Sequence, residues 1–449
     1  MKHLFSRLSP AQKIILSFLL VIFCGSLLLS LPWVQTASSQ AGYLDHLFTA
    51  VSMVCVTGLF TRSVVDTYNV WGQLLCMLLI QIGGLGILTF IGFFTMESRK
   101  KLSLKDRRIL RDSFSYGHNR TLGQFVRSIF ITTFSIEGLG ALLLMIRFIP
   151  KFGLRKGIFN SIFLAVSAFC NAGFDNFGND SLLGLQTDVL VNITLALLII
   201  TGGLGFMVWF DLATKLGGKQ KGLHFHTKVV LLLTAGLLVF GTVTSLWTEY
   251  NNPGTIGNLS FGDKLLVSFF QTVSMRTAGF SSIDYTAARP VTLFIYLLQM
   301  FLGGAPGGTA GGLKITTFLV LLLFARKEIL GLPHTNMGRR TLSPQLVQKA
   351  FGVTVIFQLT FLLGLLALGL VTDSSHRFIY LIFETVSALA TVGVTANITT
   401  SLNTAGMIVI MLLMFIGRVG PLTLMVSLNH YQPKNAATLH YSKADIMIG

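Results

Sequence analysis

Apolar residues along the chain fall into long and short runs that alternate in a regular order. The long runs, each of about 20 residues or more, match the length that an α-helix needs to cross a bilayer. They lie near residues 12–31, 71–96, 123–148, 188–214, 228–249, 291–323, 346–371 and 404–428. Within each successive pair lies a segment of roughly 12 apolar residues, too short to cross but suited to a re-entrant half-helix. These short segments lie near 42–54, 158–169, 262–274 and 377–389. The pattern therefore predicts span, half-helix and span, four times over.

The composition places the chain in a membrane. Of its 449 residues, 52% are hydrophobic and 11% are charged, whereas a soluble domain carries roughly 25% charged residues. The net charge of +17 does not indicate nucleic-acid binding, because the basic residues stand in short blocks between apolar runs. The run from Ile14 to Leu31 is longer than the apolar core of a signal peptide and is interpreted as a retained first span. The cysteines lack the spacing of a metal or disulfide framework and are interpreted as small buried hydrophobic residues.

Basic residues are distributed unevenly between the two sides of this predicted layout. With the N-terminus inside, the inner segments hold 23 Lys and Arg, and the outer segments, half-helices included, hold nine. The block ESRKKLSLKDRRILR (97–111) contributes most to the difference. Because loops rich in Lys and Arg stay in the cytoplasm, the sequence predicts a multi-pass protein of the cell membrane with both termini cytoplasmic.

The four short segments are copies of one pattern. They read LFTAVSMVCVTGLF (47–60), IFLAVSAFCNAGFD (162–175), FFQTVSMRTAGFSS (269–282) and IFETVSALATVGVT (382–395). Each carries a phenylalanine, then Ala/Thr-Val-Ser, and then a glycine five or six residues after the serine. The phenylalanines are Phe48, Phe163, Phe270 and Phe383, and the glycines are Gly58, Gly173, Gly279 and Gly393. This recurrence divides the chain into repeated units.

A second marker keeps the same register. The spans that follow the short segments contain QIGGLG, ITGGLG, FLGGAP and FIGRVG. Their first glycines, Gly83, Gly202, Gly303 and Gly417, lie 25, 29, 24 and 24 residues after the glycine of the short segment. In the fourth copy Arg418 replaces the second glycine, and it is the only charged residue between Glu384 and Lys434. Two motifs in register through four units favour a true repeat over a chance alignment of glycines, which are common in membrane helices.

Four half-helices around one axis predict a cation pathway. Irregular backbone at membrane depth is tolerated only where it lines a water-filled cavity or is buried in protein. Four helix C-terminal ends, each with partial negative charge, would face one point, and backbone carbonyls there can replace the hydration shell of a monovalent cation. Glycine suits such a loop because it adopts positive φ. The segments lack a ring of Asp or Glu, so coordination of K⁺ or a similar ion by carbonyls is the direct inference.

The motifs VTGLF, CNAGF, RTAGF and TVGVT, with GGAPGGTAGGLK in the third unit and the lone arginine in the fourth, resemble the Trk/Ktr/HKT superfamily of cation transporters. The similarity covers about residues 10–430 and is strongest to the membrane subunit of bacterial Ktr potassium uptake systems. It implies a four-unit relative of tetrameric potassium channels, an all-α membrane protein that forms a homodimer. It also implies a cytosolic ring of RCK subunits as partner. Any ATP or ADP would bind that ring, since no G-x-G-x-x-G follows a strand here, and no covalently bound cofactor is expected.

Twelve residues are predicted to form a selectivity filter through their backbone carbonyls. They are Val56, Thr57 and Gly58; Asn171, Ala172 and Gly173; Thr277, Ala278 and Gly279; and Thr391, Val392 and Gly393. In the family, serine in place of the first filter glycine accompanies Na⁺ transport. Glycine in all four units therefore resembles the members that prefer K⁺.

The segment LGGAPGGTAGGLK (302–314) is too rich in glycine and proline to form a continuous helix. It is either a kink at a helix crossing or an intramembrane loop that gates the pathway below the filter, and the resemblance implies the loop. The predicted gate comprises Gly303, Gly304, Ala305, Pro306, Gly307, Gly308, Thr309, Ala310, Gly311, Gly312, Lys314 and Arg418. Lys314 is a candidate anchor of the loop on the cytosolic side. Arg418 is interpreted as part of the gate or as a structural arginine tied to one neighbouring helix.

Other polar residues in apolar surroundings leave two interpretations each. Arg276 and Glu384 could pair behind the filter, or each could find backbone or solvent partners. Asp175 could attract cations at the mouth or cap a turn, and Glu137 could mark an ion path or bond to a neighbouring helix. His224 and His226 are interpreted as solvated loop histidines rather than metal ligands, because further ligands are lacking nearby.

The repeat predicts the boundaries of four units, and the motifs that the sequence lacks reduce the number of candidate functions. The units are predicted at 1–97, 98–215, 216–330 and 331–428, followed by a cytoplasmic tail at 429–449. Enzyme activity is not expected, because the chain lacks H-E-x-x-H and G-x-S-x-G motifs. The alternative to a gated K⁺ pore is a secondary transporter coupled to Na⁺ and lacking a regulatory ring, and Na⁺ as a coupling or activating ion is left open.

Overall fold

A computed structural model describes residues 10–86, 122–178, 181–218, 220, 222–372 and 377–420. The basic block 97–111 and the tail 429–449 lie outside these residues. The described chain is almost wholly α-helical, as predicted. A two-stranded hairpin, β1 (Asn336–Met337) paired with β2 (Arg340–Thr341), is its one departure in the described part of the chain.

Fourteen helices of eight or more residues are described. They are α1 (Pro10–Leu29), α2 (Tyr43–Val54), α3 (Val70–Leu85), α4 (Leu122–Phe152), α5 (Leu154–Phe169), α6 (Val189–Gly203), α7 (Phe206–Leu216), α8 (Phe225–Glu249), α9 (Phe261–Ser274), α10 (Pro290–Phe301), α11 (Ile315–Ile329), α12 (Pro344–Val371), α13 (Phe378–Leu389) and α14 (Thr404–Val419). One further helical turn lies at Val64–Thr67, and 3₁₀ turns lie at Pro32–Val34, Leu183–Leu185 and Thr399–Ser401. The helices α2, α5, α9 and α13 coincide with the predicted half-helices.

Length and apolarity qualify four described helices to cross a bilayer. These are Ala11–Leu29, Val126–Phe152, Phe225–Glu249 and Pro344–Val371, the first long helix of each predicted unit, and the bent pair α6–α7 makes a fifth when counted as one span. Their outer faces are apolar, with Leu142, Leu232 and Leu363 61%, 75% and 66% exposed, as lipid contact requires. The predicted run at 291–323 corresponds to α10 and α11 with a break between them. The described parts of the runs at 71–96 and 404–428 form α3 and α14, and residues 87–96 and 421–428 lie outside the described residues.

Short polar residues start the second helix in three units. Asn69, Asp188 and Asn403 precede α3, α6 and α14, and their side-chain oxygens accept backbone N–H groups of the first turn. Such caps satisfy donors that would otherwise be unpaired at a helix start. The same type of residue at the same place in the repeat therefore fixes where each second helix begins.

The second helices end or break at a glycine that sequence reasoning did not single out. Gly86, Gly205 and Gly420, the last residue of each G-x-x-G motif, have φ of 82°, 88° and 91°. This left-handed backbone ends a right-handed helix and favours glycine. The run at 188–214, predicted to be long enough to span, is bent by 98° between α6 and α7. In the third unit the break comes at Leu302–Lys314, between α10 and α11, where the glycine pairs predicted it.

The half-helices form the centre of the protein. The repeat phenylalanines Phe48, Phe163, Phe270 and Phe383 are each 0% exposed. They belong to one continuous hydrophobic core with residues of α3, α6 and α10. The long first helices surround this core, so the segments that follow the half-helices are held at the middle of the fold.

Candidate functional site

The four predicted filter segments meet in a closed ring. A Cβ built on Gly58 would lie 2.8 Å from the carbonyl oxygen of Ala172, and one on Gly173 would lie 2.7 Å from that of Ala278. A Cβ on Gly279 would lie 2.5 Å from the carbonyl oxygen of Val392, and one on Gly393 would overlap that of Thr57. Each glycine thus faces the middle carbonyl of the next unit, and the fourth unit closes on the first. The structure brings eight of the twelve predicted filter residues, the glycines and the middle residues, into contact around this ring.

The backbone of the ring repeats the same unusual conformation in every unit. The first residues, Val56, Asn171, Thr277 and Thr391, have φ of 56°, 58°, 66° and 53°. The glycines two residues later have φ of 104°, 69°, 85° and 97°. Left-handed backbone is rare for β-branched residues, and such strain persists only where the surrounding structure holds it. Because the left-handed conformation recurs at equivalent positions, the four loops have the same backbone geometry.

The serine of each Ala/Thr-Val-Ser motif holds its loop. The hydroxyls of Ser52 and Ser387 accept the N–H of Gly58 and Gly393 at 3.1 and 3.0 Å. In the second unit Ser167 accepts the N–H of Phe174 at 2.9 Å. In the third unit, where the serine stands one residue closer to the filter, Ser274 donates to the Phe280 carbonyl at 2.5 Å. A small side chain with both donor and acceptor capacity can serve all of these arrangements.

The glycine-rich loop 302–314 lies directly against the filter. Its Gly311 N–H donates to the Thr277 hydroxyl at 3.2 Å, and the Thr309 hydroxyl donates to the Phe169 carbonyl at 3.1 Å. A Cβ on Gly311 would also overlap the Thr391 hydroxyl. The loop therefore contacts three of the four units at the half-helix ends, and glycine is required at 311 for that approach. Its backbone is neither helix nor a simple kink.

Arg418 joins this loop to the first unit. Its guanidinium donates to the Thr309 carbonyl at 2.5 Å and to the carbonyls of Gly83 and Gly84 at 2.5 and 3.2 Å. Among the described residues no carboxylate lies within ion-pair distance of it. The arginine is thus held by neutral backbone acceptors from two elements rather than by one neighbouring helix.

The Lys314 side chain bonds to the backbone of its own loop. Its ammonium donates to the carbonyls of Ala310 and Gly311 at 2.7 and 3.4 Å. A cavity of about 340 Å³ adjoins this side of the loop and is lined by Lys314, Arg418, Gly84 and Phe357, among others. Two basic side chains therefore line one cavity next to the ring of predicted filter residues.

The family of the chain follows from comparison with known proteins. Residues 7–438 match the family model TrkH, described as a cation transport protein. The chain belongs to this TrkH family. The match spans all four repeated units, so family membership applies to the whole described fold and the resemblance drawn from the sequence motifs is confirmed.

Relatives of this TrkH-family protein are similar over their full length. It is 39% identical over 446 residues to the Ktr system potassium uptake protein B of Bacillus subtilis, covering 99% of this chain and 97% of that protein. It is 39% identical over 453 residues to the potassium/sodium uptake protein NtpJ of Enterococcus hirae, covering 100% of this chain and 99% of that protein. The crystal structure of the potassium transporter TrkH from Vibrio parahaemolyticus superposes with a TM-score of 0.73 at 17% identity, covering 93% of this chain and 84% of that one. This likeness supports the fold.

The TrkH-family chain does not form the predicted Arg276–Glu384 pair. Arg276 donates to the Thr234 hydroxyl at 3.4 Å. Glu384 accepts from the hydroxyls of Thr395, at 2.7 Å, and Thr399. Of the two interpretations left open by the sequence, separate partners therefore apply: Arg276 contacts a hydroxyl of α8, and Glu384 contacts hydroxyls that follow the filter segment of its own unit.

The remaining polar residues find local partners. Glu137 accepts the Gln81 amide at 3.0 Å, as the helix-bonding interpretation predicts. Asp175 is buried and accepts the Phe177 N–H at 3.0 Å in a turn. His224 contacts Asp211 at 2.5 Å. No group of three His, Cys, Asp or Glu side chains in the described segments is arranged to hold a metal ion.

Two parts of the site were missed from the sequence. Thr309 was counted only as one member of the loop, although it bonds to both Phe169 and Arg418 through its side chain and backbone. The partners of Arg418, the carbonyls of Gly83 and Gly84, belong to another unit. In the repeat, Gly83 and Gly84 occupy the positions that Gly417 and Arg418 occupy in the fourth unit. Equivalent positions of a ring lie close to its axis, so the repeat alignment could have indicated that Arg418 contacts these glycines.

Proposed function

We propose that this protein carries K⁺ into the cell through a pore at the centre of its four units. The observation that carries the proposal is the closed ring of carbonyls, in which each filter glycine faces the next unit's carbonyl. Such a ring matches the chemistry that replaces the hydration shell of a monovalent cation. The names of two relatives, Ktr system potassium uptake protein B and potassium/sodium uptake protein NtpJ, support K⁺ as the transported ion.

The proposed architecture has eight spans and four half-helices arranged around one pseudo-fourfold axis. The units are those predicted from the repeat, 1–97, 98–215, 216–330 and 331–428, with the tail at 429–449 and both termini in the cytoplasm. The interrupted helices α6–α7 and α10–α11 and the shorter α3 and α14 serve as the second spans. Breaks at membrane depth are acceptable there because they lie next to the protein-lined cavity rather than lipid.

The proposed gate is the loop 302–314 together with Arg418. In the conformation described, the loop presents donors to the filter, and the Arg418 guanidinium fastens it to α3 through Gly83 and Gly84. Opening requires these bonds to break and the loop to move away from the half-helix ends. Lys314 and Arg418 add positive charge on the exit side, which opposes a K⁺ ion while the loop is closed.

We further propose a homodimer controlled by a cytosolic ring of RCK subunits that bind ATP or ADP. The full-length similarity to a component of a Ktr system supports a separate regulatory subunit. Na⁺ as a coupling or activating ion is kept as part of the proposal because one relative is named for both ions. The alternative, a Na⁺-coupled transporter without a ring, predicts that uptake needs no partner and that reversal potentials shift with the Na⁺ gradient.

Growth of a bacterium lacking its own K⁺ uptake tests the proposal. The chain is expressed with and without an RCK subunit, and growth is measured at limiting K⁺. Rescue, stronger with the RCK subunit, is expected. A matched control is Gly279→Val, whose side chain would meet the Val392 carbonyl and should abolish rescue at equal expression. Absence of rescue by the unmodified chain under both conditions contradicts the proposed function.

Thr309→Val is expected to open the gate more often. The change keeps the shape of the side chain but removes the hydrogen bond to the Phe169 carbonyl. A net contribution of about 1 kcal/mol for such a bond corresponds to roughly a fivefold higher K⁺ uptake rate in proteoliposomes without a regulatory partner. Thr354→Val, which removes a bond within α12, is the control and should leave the rate unchanged. Equal rates for the wild type and Thr309→Val would remove the threonine from the gate.

A further inference from the structure

Arg276 breaks the fourfold repeat immediately next to the filter. The residue before the first filter position is Cys55, Cys170 and Ala390 in the other three units, and Arg276 in the third. All of these side chains are buried. The third unit thus carries a permanent positive charge at a place where its counterparts are neutral.

The charge of Arg276 is poorly compensated. The residue is 7% exposed, its guanidinium donates to the Thr234 hydroxyl at 3.4 Å, and its Nε atom has no partner in the described part of the chain. Within the described segments no carboxylate lies within ion-pair distance. Glu384, the acid expected there, is occupied by Thr395 and Thr399. A buried charge without a partner is costly, so a packing role alone does not account for an arginine here.

The neighbouring helix end supplies the compensating field. Arg276 follows α9, which ends at Ser274, and a helix C-terminus carries partial negative charge that favours a cation. At the ends of α2, α5 and α13 the corresponding residues, Cys55, Cys170 and Ala390, are uncharged and do not offset the field of their own helix. In the third unit the guanidinium offsets part of that field.

Resting on the proposed function, we propose that Arg276 sets the strength of K⁺ binding in the filter. Its charge stands one residue from Thr277, in a buried region where charges interact strongly over several ångströms. It therefore weakens K⁺ binding in the ring without touching the ion. A pathway needs binding strong enough to admit an ion and weak enough to release it. Arg276 shifts this balance toward release.

Arg276→Met removes the charge and keeps the apolar length of the side chain. We expect the K⁺ concentration for half-maximal uptake to fall by about tenfold, since a unit charge in the protein interior changes ion binding on that scale. The maximal rate should fall as well, because bound K⁺ leaves more slowly. Uptake is measured in proteoliposomes containing the full chain over a range of K⁺ concentrations.

Three further variants separate charge from packing. Arg276→Lys keeps the charge and should retain wild-type kinetics, whereas Arg276→Gln loses the charge, keeps a donor for Thr234 and should behave like Arg276→Met. Thr234→Val removes only the hydrogen bond and should leave the half-maximal K⁺ concentration unchanged.

An unchanged or higher half-maximal concentration in Arg276→Met and Arg276→Gln overturns the proposal, as does an equal effect of Thr234→Val. Failure of both neutral variants to accumulate would assign Arg276 to folding and overturn it too. These outcomes are distinct from failure of the proposed function, in which the wild-type chain itself would not transport K⁺.

Discussion

Gly58→Ser is expected to lower the discrimination between K⁺ and Na⁺ by about tenfold or more. Gly58 has φ of 104°, and a Cβ there would lie 2.8 Å from the Ala172 carbonyl oxygen. The serine must therefore strain its own backbone or displace that carbonyl. Strain of this kind costs on the order of 1–3 kcal/mol, and a displaced carbonyl no longer matches the coordination of K⁺. Reversal potentials in proteoliposomes with opposed K⁺ and Na⁺ gradients measure the change.

Gly369→Ser provides the matched control. Gly369 lies on the exposed face of α12, where a Cβ would meet nothing within 4 Å, so discrimination should be unaffected. If Gly58→Ser retained full discrimination while folding normally, the first unit would not contribute to the filter and the assignment of Val56, Thr57 and Gly58 would have to be withdrawn.

Arg418→Gln should raise the rate of K⁺ uptake by about tenfold or more and leave discrimination nearly unchanged. The guanidinium fastens the loop through Thr309 and α3 through Gly83 and Gly84. Hydrogen bonds from a charged group contribute roughly 1.5–3 kcal/mol each, and the shorter neutral amide cannot span both elements. Loss of the fixed charge also removes the repulsion of K⁺ on the exit side. The rate is measured as Rb⁺ uptake without a regulatory partner, and discrimination as above.

Arg418→Lys distinguishes charge from geometry, because lysine keeps the charge but lacks the planar fork that reaches several carbonyls. An intermediate rate is expected. Arg155→Gln, which changes an exposed arginine at the start of α5, should have no effect. A loss of discrimination in Arg418→Gln with an unchanged rate would contradict the gating role.

Much of the site was predictable because the same sequence pattern occurs four times in the chain. The phenylalanine, serine and glycine of each short segment predicted the half-helices and the converging loops, and the structure brings these residues together. The register of the G-G motifs likewise predicted that Arg418 lies near the filter. Local sequence carried this information because helix length and glycine position are set by short-range backbone preferences.

Contacts between units could not be predicted in the same way. Arg276 and Glu384 looked like a pair because their charges are opposite, yet hydroxyls from nearby turns satisfy Glu384. The bend after Gly203 was missed because the apolar run through 188–214 continues past it, and hydropathy is insensitive to the sign of φ at Gly205. The glycine-rich loop was expected to supply carbonyl acceptors for Arg418, and Thr309 does so. The carbonyls of Gly83 and Gly84 were not anticipated, because every residue has a backbone carbonyl and side-chain identity gives no indication of which one accepts.

A ring formed by one polypeptide has consequences for inheritance as well as for ion coordination. In a pore assembled from four identical subunits, a single codon change enters the ring four times. Here a change at Gly58 enters once and meets Ala172, Gly173 and Gly393. A missense variant in this chain therefore alters one quarter of the ring, and its effect depends on which of the four units carries it. Because each unit has its own coding sequence, the third unit can acquire its glycine-rich loop and Arg276 while the other three units stay unchanged. The contacts among those three units are then kept.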